Sequence, residues 1–327
     1  MKRLISIIVS VAILLFIYWK IDFVGLIQVF RQSHPLWMAV SLGMVIPITM
    51  LTAWRLQQLM PTTPTASSPD LEPVSPAKLG FAEANKLILA ASSLNMVLPS
   101  KMGDIAKAYF MQDRGHLSGS LALSLVVFEK TCDMLSLLLW CAFGLLLYPH
   151  KDWLFWVMTV SVVGGLLLGL AILSVPTFAK SFFAVLQAIA PKKFRAKLGK
   201  MSYAWQEMHN YFWRDPLHLL KISLTSIFIW FLHLLQIWFF ILALRAEAPF
   251  LANLALSPLA ILAGLLPLTF AGIGTRDAAL ILFYQPYFDA ATAAALGLLC
   301  TSRYFLPAIG GLPFLGQYLS FAKRMRT

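Results

Sequence analysis

The sequence predicts an all-α polytopic membrane protein, a single transmembrane domain over residues 1–327 with about six full spans and two broken or re-entrant helical hairpins. Composition is the first reason: 59% of the residues are apolar and 12% are charged, whereas soluble domains carry about 25% charged residues. The second reason is a series of apolar runs of roughly 20 residues, the length at which a helix crosses a bilayer. A soluble globular protein is therefore excluded.

Six apolar runs are long enough to be full spans. They cover residues 4–19, 36–54, 121–148, 153–178, 219–244 and 290–321. The first run follows two basic residues, as a signal peptide would, but it lacks a small-residue cleavage site and ends in Tyr18, Trp19 and Lys20, which suit the membrane interface. We expect a retained anchor helix. The amphipathic segment after it, residues 21–35, is predicted to lie on the far surface.

Two polar regions are predicted to be cytoplasmic. Residues 61–76 contain five prolines, which is typical of an extended loop. The segment of residues 180–215 is basic: from Lys180 to Lys221 there are eight Lys and Arg residues and two acidic residues. The positive-inside rule makes this a cytoplasmic interfacial segment and places both termini in the cytoplasm. The rule also accounts for the net charge of +12 without nucleic acid as a partner.

Two further apolar segments contain breaks. Residues 81–98 carry Glu83, Asn85, Lys86 and Asn95 and break at 99–104, and residues 251–270 carry two prolines and break at 271–277. Each break precedes a short helical stretch, and the two breaks align weakly at an offset of 173 residues, which pairs Asp104 with Asp277. Broken helices in corresponding halves are a feature of inverted-repeat transporters, so the sequence indicates a possible inverted repeat.

Three ionisable residues interrupt the span that begins at residue 121. Glu129 and Asp133 lie one helical turn apart, and Lys130 lies three residues before Asp133. A charge near the bilayer centre costs at least about 2.5 to 3.5 kcal/mol, so these residues need a reason to be there. Two interpretations are open: an internal ion pair that neutralises itself and positions helices, or a lining that faces a polar cavity and titrates or binds substrate.

The second break combines Gly272 and Gly274 with Arg276 and Asp277. A helix that begins there exposes N–H groups and the positive end of its dipole, which together form an anion site that Arg276 can complete. The alternative is a kinked helix with a capping Asp.

The first break has the same components, with Lys101 as the cation and Asp104 as the predicted N-terminal cap. Arg303 is a further cation inside the last span. Three cations at membrane depth, Lys101, Arg276 and Arg303, suit a lipid phosphate.

No enzyme or metal motif competes with this interpretation. The chain has no HExxH, GxSxG or P-loop motif, and its six histidines lack metal-ligand spacing, so we predict no catalytic residue, no metal and no cofactor. Cys132, Cys141 and Cys300 lie inside apolar runs and are expected to be core residues.

Three motifs resemble those of the flippase-like integral membrane domain family, which includes the transmembrane region of lysylphosphatidylglycerol synthases. They are NMVLPSKMGD at residues 95–104, FEKTCD at 128–133 and PLTFAGIGTRD at 267–277, and the resemblance covers nearly the whole chain. The family favours Arg at the positions of Lys107 and Lys130, Gly at Ala271 and Glu at Asp277. The charge signs are kept, but lysine lacks the planar fork with which arginine grips phosphate.

The charges and the resemblance together give the expected substrate-binding residues. They are Lys101, Asp104, Lys107, Glu129, Lys130, Asp133, Gly272, Gly274, Arg276, Asp277 and Arg303.

The resemblance implies transbilayer movement, or flipping, of a lipid with an anionic headgroup, such as an aminoacyl phospholipid or a polyprenyl-phosphate-linked sugar. We expect a multi-pass protein of the cytoplasmic membrane of a prokaryote, with membrane lipids as its partners. Because the chain stops at Thr327, without room for a soluble aminoacyl-transferase domain, we do not expect it to synthesise lysylphosphatidylglycerol.

Two other functions stay open. One is an integral-membrane transferase that acts on a lipid phosphate, with Glu129 or Asp133 as the base. The other is a non-transporting membrane partner of a lipid or glycan biosynthetic enzyme. Bound lipid phosphate without chemical turnover would separate transport from catalysis, and a protein that binds no headgroup would be a scaffold.

The charge bias of the loops predicts that positions 78 and 193 are cytoplasmic and that position 245 faces outward. In intact cells, an impermeant thiol reagent should label an Arg245→Cys variant and should spare Lys78→Cys and Lys193→Cys until the membrane is permeabilised. Labelling of Lys193→Cys in sealed cells would reverse the predicted topology.

Overall fold

The structure is a computed structural model that describes residues 23–60, 79–97, 102–114, 119–148, 151–191, 215–266 and 274–324, together with short stretches between 195 and 213. Three predicted regions lie wholly or largely outside the described residues: the first span at 4–19, the proline-rich loop at 61–76, and most of the basic segment after residue 191. Within the described residues the regular structure is helical and contains no strand.

Twelve helices are described along the chain. They are α1 (Phe23–Arg31), α2 (Pro35–Gly43), α3 (Val45–Leu59), α4 (Phe81–Val97), α5 (Met102–Arg114), α6 (Gly119–Leu147), α7 (Trp153–Ser174), α8 (Pro176–Ile189), α9 (Pro216–Ala243), α10 (Phe250–Gly264), α11 (Thr275–Tyr284) and α12 (Ala290–Arg324).

Five stretches of the described chain are long and apolar enough to cross a membrane. They are Pro35–Leu59, Leu121–Leu147, Trp153–Ser174, Pro216–Ala243 and Ala290–Gly316. Each corresponds to a span predicted from the sequence, so the all-α polytopic membrane architecture is confirmed. Large apolar side chains are exposed along these helices, among them Trp156, Val160 and Leu167 on α7, as expected for surfaces in contact with lipid.

Two span boundaries differ from the prediction. The second span was predicted to end at residue 54, but α3 continues to Leu59, which places Arg55 inside the helix. The span predicted over 153–178 ends at Ser174, because Val175 is extended and Pro176 begins a new helix, α8. Proline suits the first turn of a helix but disrupts its interior.

Both predicted hairpins have a helix on each side of the break. Helix α4 packs against α5, and α10 packs against α11. In the first hairpin, the Asn95 side-chain oxygen at the end of α4 accepts a hydrogen bond of 2.9 Å from the backbone N–H of Gly103. Asn95 thus satisfies one of the N–H groups that a helix start leaves without a partner. The relation of the two hairpins by an inverted repeat stays a prediction.

The chain divides into two compact units. Unit 1 comprises Met1–Ile46, Ser136–Leu166 and Trp230–Tyr304, and unit 2 comprises Pro47–Leu135, Leu167–Ile229 and Phe305–Thr327. Unit 1 includes the hairpin of α10 and α11 and has an apolar core to which α1, α6, α7, α9, α10, α11 and α12 contribute. Unit 2 includes the hairpin of α4 and α5.

The first hairpin depends on the absence of a side chain at Gly103. A Cβ atom there would overlap the backbone oxygen of Ala91 and lie 2.8 Å from the Asn95 side-chain oxygen. Gly103→Ala should therefore cost about 1–3 kcal/mol through overpacking and lower the thermal unfolding midpoint of the purified protein in detergent.

Gly164 on α7 supplies the matched control, since a Cβ atom there meets nothing within 4 Å. Gly164→Ala should leave the midpoint unchanged or raise it, because alanine stabilises a helix interior by up to about 1 kcal/mol over glycine. Equal midpoints for the two variants would contradict the close approach of α4 and α5.

Candidate functional site

The charged network of unit 2 is centred on Arg55, a residue that the sequence analysis did not select. Arg55 was expected just beyond the end of a span, but α3 carries it into the protein, where it is 2% exposed. Leu56 and Leu59 on the same helix are fully buried. The helical spacing of Arg55, Leu56 and Leu59 was the sequence signal that this turn faces protein.

Arg55 joins two carboxylates of α6. Its Nη2 atom donates to Glu129 Oε1 at 3.0 Å, and its Nη1 atom donates to Asp133 Oδ1 at 2.5 Å. Nη1 also donates to the hydroxyl oxygen of Ser226 on α9 at 2.8 Å. The planar fork of one guanidinium thus serves acids one helical turn apart, an arrangement that a point-like ammonium does not match.

Lys107 on α5 completes the pairing of Glu129. Its Nζ atom donates to Glu129 Oε2, the oxygen that Arg55 leaves open, and both side chains are almost fully buried. Glu129 therefore has a separate cation on each carboxylate oxygen. Buried ions are tolerated when they are paired and hydrogen-bonded in this way.

Lys130 lies at the edge of the network. Its side chain is 46% exposed, and its Nζ atom is 3.4 Å from Asp104 and 3.9 Å from Asp133. Of the triplet that could neutralise itself, Lys130 and Asp133 lie within ion-pair distance, whereas Glu129 pairs with Arg55 and Lys107 from other helices. The network lies on separate helices and not on α6 alone.

The formal charges of this network cancel. It contains three cations (Arg55, Lys107 and Lys130) and three carboxylates (Asp104, Glu129 and Asp133). Every cation in it has a carboxylate within 4 Å. The network is neutral without a ligand. For an anion to bind there, one of the carboxylates must leave its cation or become protonated.

The second group of charges, in unit 1, begins at the start of α11. Gly274 precedes the helix with a positive φ of 100°, a conformation that favours glycine. Its backbone N–H donates to Asp277 Oδ2 at 3.1 Å. The carboxylate of Asp277 therefore caps this helix start itself, which is the capping alternative to the anion site of the two interpretations that the sequence left open.

Arg276 folds onto Asp277 and onto α12. Its Nε and Nη2 atoms donate to Asp277 Oδ1 at 3.0 and 2.7 Å. Nη2 also donates to the carbonyl of Gly297 at 3.0 Å and to the hydroxyl oxygen of Thr301 at 2.5 Å. A Cβ atom at Gly297 would lie 2.8 Å from Asp277 Oδ1, so the glycine lets α12 approach this ion pair.

Arg303 is the buried cation of unit 1 whose described contacts include no carboxylate. It lies half a turn beyond Thr301 on α12 and is 7% exposed. Its Nε atom donates to the Cys300 carbonyl at 3.3 Å, its Nη1 atom donates to the His233 carbonyl at 3.4 Å, and the Tyr304 ring lies 5.8 Å away. These contacts are long and their partners are neutral.

The buried charges described in unit 1 are Arg276, Asp277 and Arg303, which sum to +1. A single negative charge would balance them. The two groups therefore differ in net charge. The charges of the network in unit 2 sum to zero, whereas the buried charges described in unit 1 sum to +1.

The predicted binding residues fall into both groups. Unit 2 holds Asp104, Lys107, Glu129, Lys130 and Asp133, and unit 1 holds Gly274, Arg276, Asp277 and Arg303. Lys101 and Gly272 lie outside the described residues, so a joint grip of Lys101, Arg276 and Arg303 on one phosphate stays a prediction.

Two other features contribute nothing to these groups. A cavity of about 650 Å³ opens near the end of α11, lined by residues that include Leu282, Gln285 and Tyr287, and none of the predicted binding residues lines it. Across the described ranges, no three His, Cys, Asp or Glu side chains are grouped so that they could hold a metal ion.

The family assignment rests on residues 3–311, which match the family described as Lysylphosphatidylglycerol synthase TM region. The chain belongs to this family. The resemblance of the three motifs is thereby confirmed, and the match spans all the predicted binding residues. No curated protein matches the chain.

Membership in this family makes the chain a membrane domain of a kind found in lipid-related proteins. The match covers both charged groups as well as the helices that carry them. Arg55 lies within it, although none of the three motifs includes this residue.

Arg55→Met should destabilise the protein by about 3–5 kcal/mol, because it leaves one oxygen of the buried Glu129 without a cation and takes from the partly buried Asp133 its closest one. Arg55→Lys should fall between wild type and Arg55→Met. The measurement is the free energy of unfolding of the purified protein in detergent.

The matched control is Lys221→Met, which removes an exposed cation of unit 2 whose Nζ atom contacts Gln58 at 3.1 Å. It should cost less than about 1 kcal/mol. Adding Glu129→Gln to Arg55→Met should recover part of the loss, since one unpaired charge is removed. Wild-type stability for Arg55→Met would show that the network does not hold these helices together.

Proposed function

We propose that this protein moves lipids with an anionic headgroup across the bilayer. The observation that carries the proposal is Arg303, a buried cation on a membrane-spanning helix whose described partners are two carbonyls and an aromatic ring. A lipid phosphodiester has the charge and the acceptor oxygens that this guanidinium lacks.

The energetic argument starts from the cost of a charge at membrane depth, at least about 2.5 to 3.5 kcal/mol for arginine at the centre of a helix. Arg55, Lys107 and Arg276 each offset this cost with a carboxylate at hydrogen-bonding distance. Arg303 offsets it only with weak neutral contacts. The phosphate of a bound lipid would give Arg303 a counterion for as long as the lipid stays bound.

Helix α12 also contains a point at which it can bend beside this cation. Pro307 lies four residues after Arg303 within the helix, so the Arg303 carbonyl has no N–H at position 307 to accept from. Prolines are the commonest cause of kinks in helices. Since Arg303 is almost fully buried, a lipid reaches it only if helices move, and a bend at Pro307 is one way to admit it.

The neutral network of unit 2 has a different role in this proposal. Its cations are occupied by carboxylates, so it holds α3, α5, α6 and α9 together when no lipid is bound. It binds a headgroup only when Glu129 or Asp133 is displaced from Arg55. The same pairing argues against a transferase in which either carboxylate is the base, because a base needs a carboxylate that is free to accept a proton.

The test compares Arg303→Ala with Arg31→Ala, which removes an exposed arginine of the same unit. Since a charge-assisted contact is worth roughly 1.5 to 3 kcal/mol, Arg303→Ala should weaken binding of phosphatidylglycerol by about ten- to a hundredfold. It should slow flipping of a labelled anionic lipid in proteoliposomes, and Arg31→Ala should do neither.

Arg303→Lys should recover part of the binding, because it keeps the charge but loses the planar fork. Lipid binding and flipping at wild-type levels in a folded Arg303→Ala protein would refute the proposal. Lipid binding without flipping in the wild type would also refute transport. Absence of headgroup binding would favour a membrane partner of a biosynthetic enzyme, and conversion of the lipid to a new product would favour a transferase.

A further inference from the structure

Asp133 is the carboxylate of the unit 2 network that is most open to its surroundings. Its side chain is 23% exposed, compared with 14% for Asp104 and 1% for Glu129. Both terminal nitrogens of Arg55 hold it: Nη1 donates to Oδ1 at 2.5 Å, and Nη2 donates to Oδ2 at 3.3 Å. Lys130 Nζ lies 3.9 Å from Oδ2. Asp133 is therefore the acid of this network that a ligand reaches most easily.

The release of Asp133 would open two cations at once. Arg55 would keep Glu129 on Nη2 and would present Nη1, and Lys130 would lose its contact at 3.9 Å. An oxygen of a phosphate at the position of Asp133 would then meet both a guanidinium and an ammonium, the two side-chain groups with which proteins bind phosphate. Release of Asp104 would open Lys130 alone, and Glu129 has a cation on each oxygen.

The charge of the network determines what must accompany the phosphate. Its three cations and three carboxylates sum to zero. A phosphodiester that entered alone would leave one uncompensated negative charge among mostly buried groups, which is strongly unfavourable. One proton taken up with the phosphodiester keeps the sum at zero.

Asp133 is also the group that can accept this proton. The described charged and titratable groups around it are Arg55 from α3, Lys107 and Asp104 from α5, and Glu129, Lys130 and Cys132 from α6. Helix α9 contributes the hydroxyl of Ser226, which accepts from Arg55 Nη1.

The exchange at Arg55 leaves the released carboxylate without its closest cation. A carboxyl group in a site poor in water favours its neutral form when no cation faces it. The exposed fraction of Asp133 gives the proton a route from bulk water. A new O–H bond forms on the carboxylate, and no covalent bond of the lipid or the protein breaks.

We propose that the unit 2 network binds a lipid phosphate in exchange for the ion pair of Arg55 and Asp133 and takes up one proton on Asp133 as it does so. This inference rests on the proposed function, since it takes an anionic lipid as the ligand. It goes beyond that function because it couples lipid binding to protons. A proton gradient across the membrane would then favour lipid movement in one direction.

The test is proton uptake by the purified wild-type protein in weakly buffered detergent, followed with a pH indicator as phosphatidylglycerol is added. Saturation should take up about one proton per protein, and binding to the network should tighten as the pH falls, by up to about tenfold per pH unit. Binding at Arg303 should add no proton, because the buried charges described in unit 1 already sum to +1.

Phosphatidylethanolamine is the matched control lipid, because it combines the same phosphodiester with an ammonium. This ammonium can face the released Asp133 in place of a proton. Phosphatidylethanolamine should therefore bind without proton uptake.

Asp133→Asn should bind phosphatidylglycerol without proton uptake and with little dependence on pH, because the network then carries +1 before the lipid arrives. This variant also separates Asp133 from the histidines, which titrate in the same pH range. Asp133→Glu keeps a carboxylate and should keep the uptake. Glu247→Gln, which removes an exposed carboxylate of unit 1, should behave as the wild type does. Arg303→Ala should keep the uptake at saturating lipid, because Arg303 is not part of the network.

The outcomes separate this inference from the proposed function. Phosphatidylglycerol binding that is weakened in Arg303→Ala but takes up no proton in the wild type overturns the coupling and keeps the proposed function. Proton uptake that persists in Asp133→Asn overturns the role of Asp133, and uptake with phosphatidylethanolamine overturns the charge balance. Binding that is indifferent to both Arg303→Ala and pH overturns the proposed function and this inference with it.

Discussion

The cost of leaving an ion without a counterion at membrane depth is the constraint on which the rest of this structure depends. It explains why the cations Arg55 on α3 and Lys107 on α5 meet the two carboxylates of α6, Glu129 and Asp133. It also explains why Asp277 folds against Arg276 at the start of α11. A buried ion that has its counterion within the protein holds helices together. A buried ion whose described contacts include no counterion, as at Arg303, favours a ligand that supplies one.

The close approach of helix backbones at glycines is the second feature that determines how these helices pack. Gly103 lets α5 lie against α4, and Gly297 lets α12 lie against the ion pair of Arg276 and Asp277. Small residues commonly allow such contacts between helices in membranes. Gly297 therefore lets α12 reach the ion pair of unit 1, and Gly103 lets the two helices of the first hairpin pack closely.

The sequence was sufficient for the architecture because apolar length and charge are strong signals: five spans, both hairpins and the family were predicted correctly. It was insufficient for the partners. Arg55 was missed because the end of α3 looks like the end of a span. Counterions for Glu129 were sought only within its own triplet, with Lys130 and Asp133, because sequence spacing shows only contacts within one helix. A capping Asp277 was one of the two interpretations of the second break, but that Arg303 has no carboxylate among its described contacts depends on tertiary geometry that no spacing reveals.

The most direct test of the account is the lipid that accompanies the gently purified protein, identified by mass spectrometry and compared with the lipid composition of the source membrane. The account predicts enrichment of anionic phospholipids on the wild type and loss of that enrichment in Arg303→Ala, with Arg31→Ala unchanged. Lipid on the wild type in the same proportions as the membrane, or equal enrichment on Arg303→Ala, would contradict the claim that the buried charge of unit 1 binds a lipid phosphate.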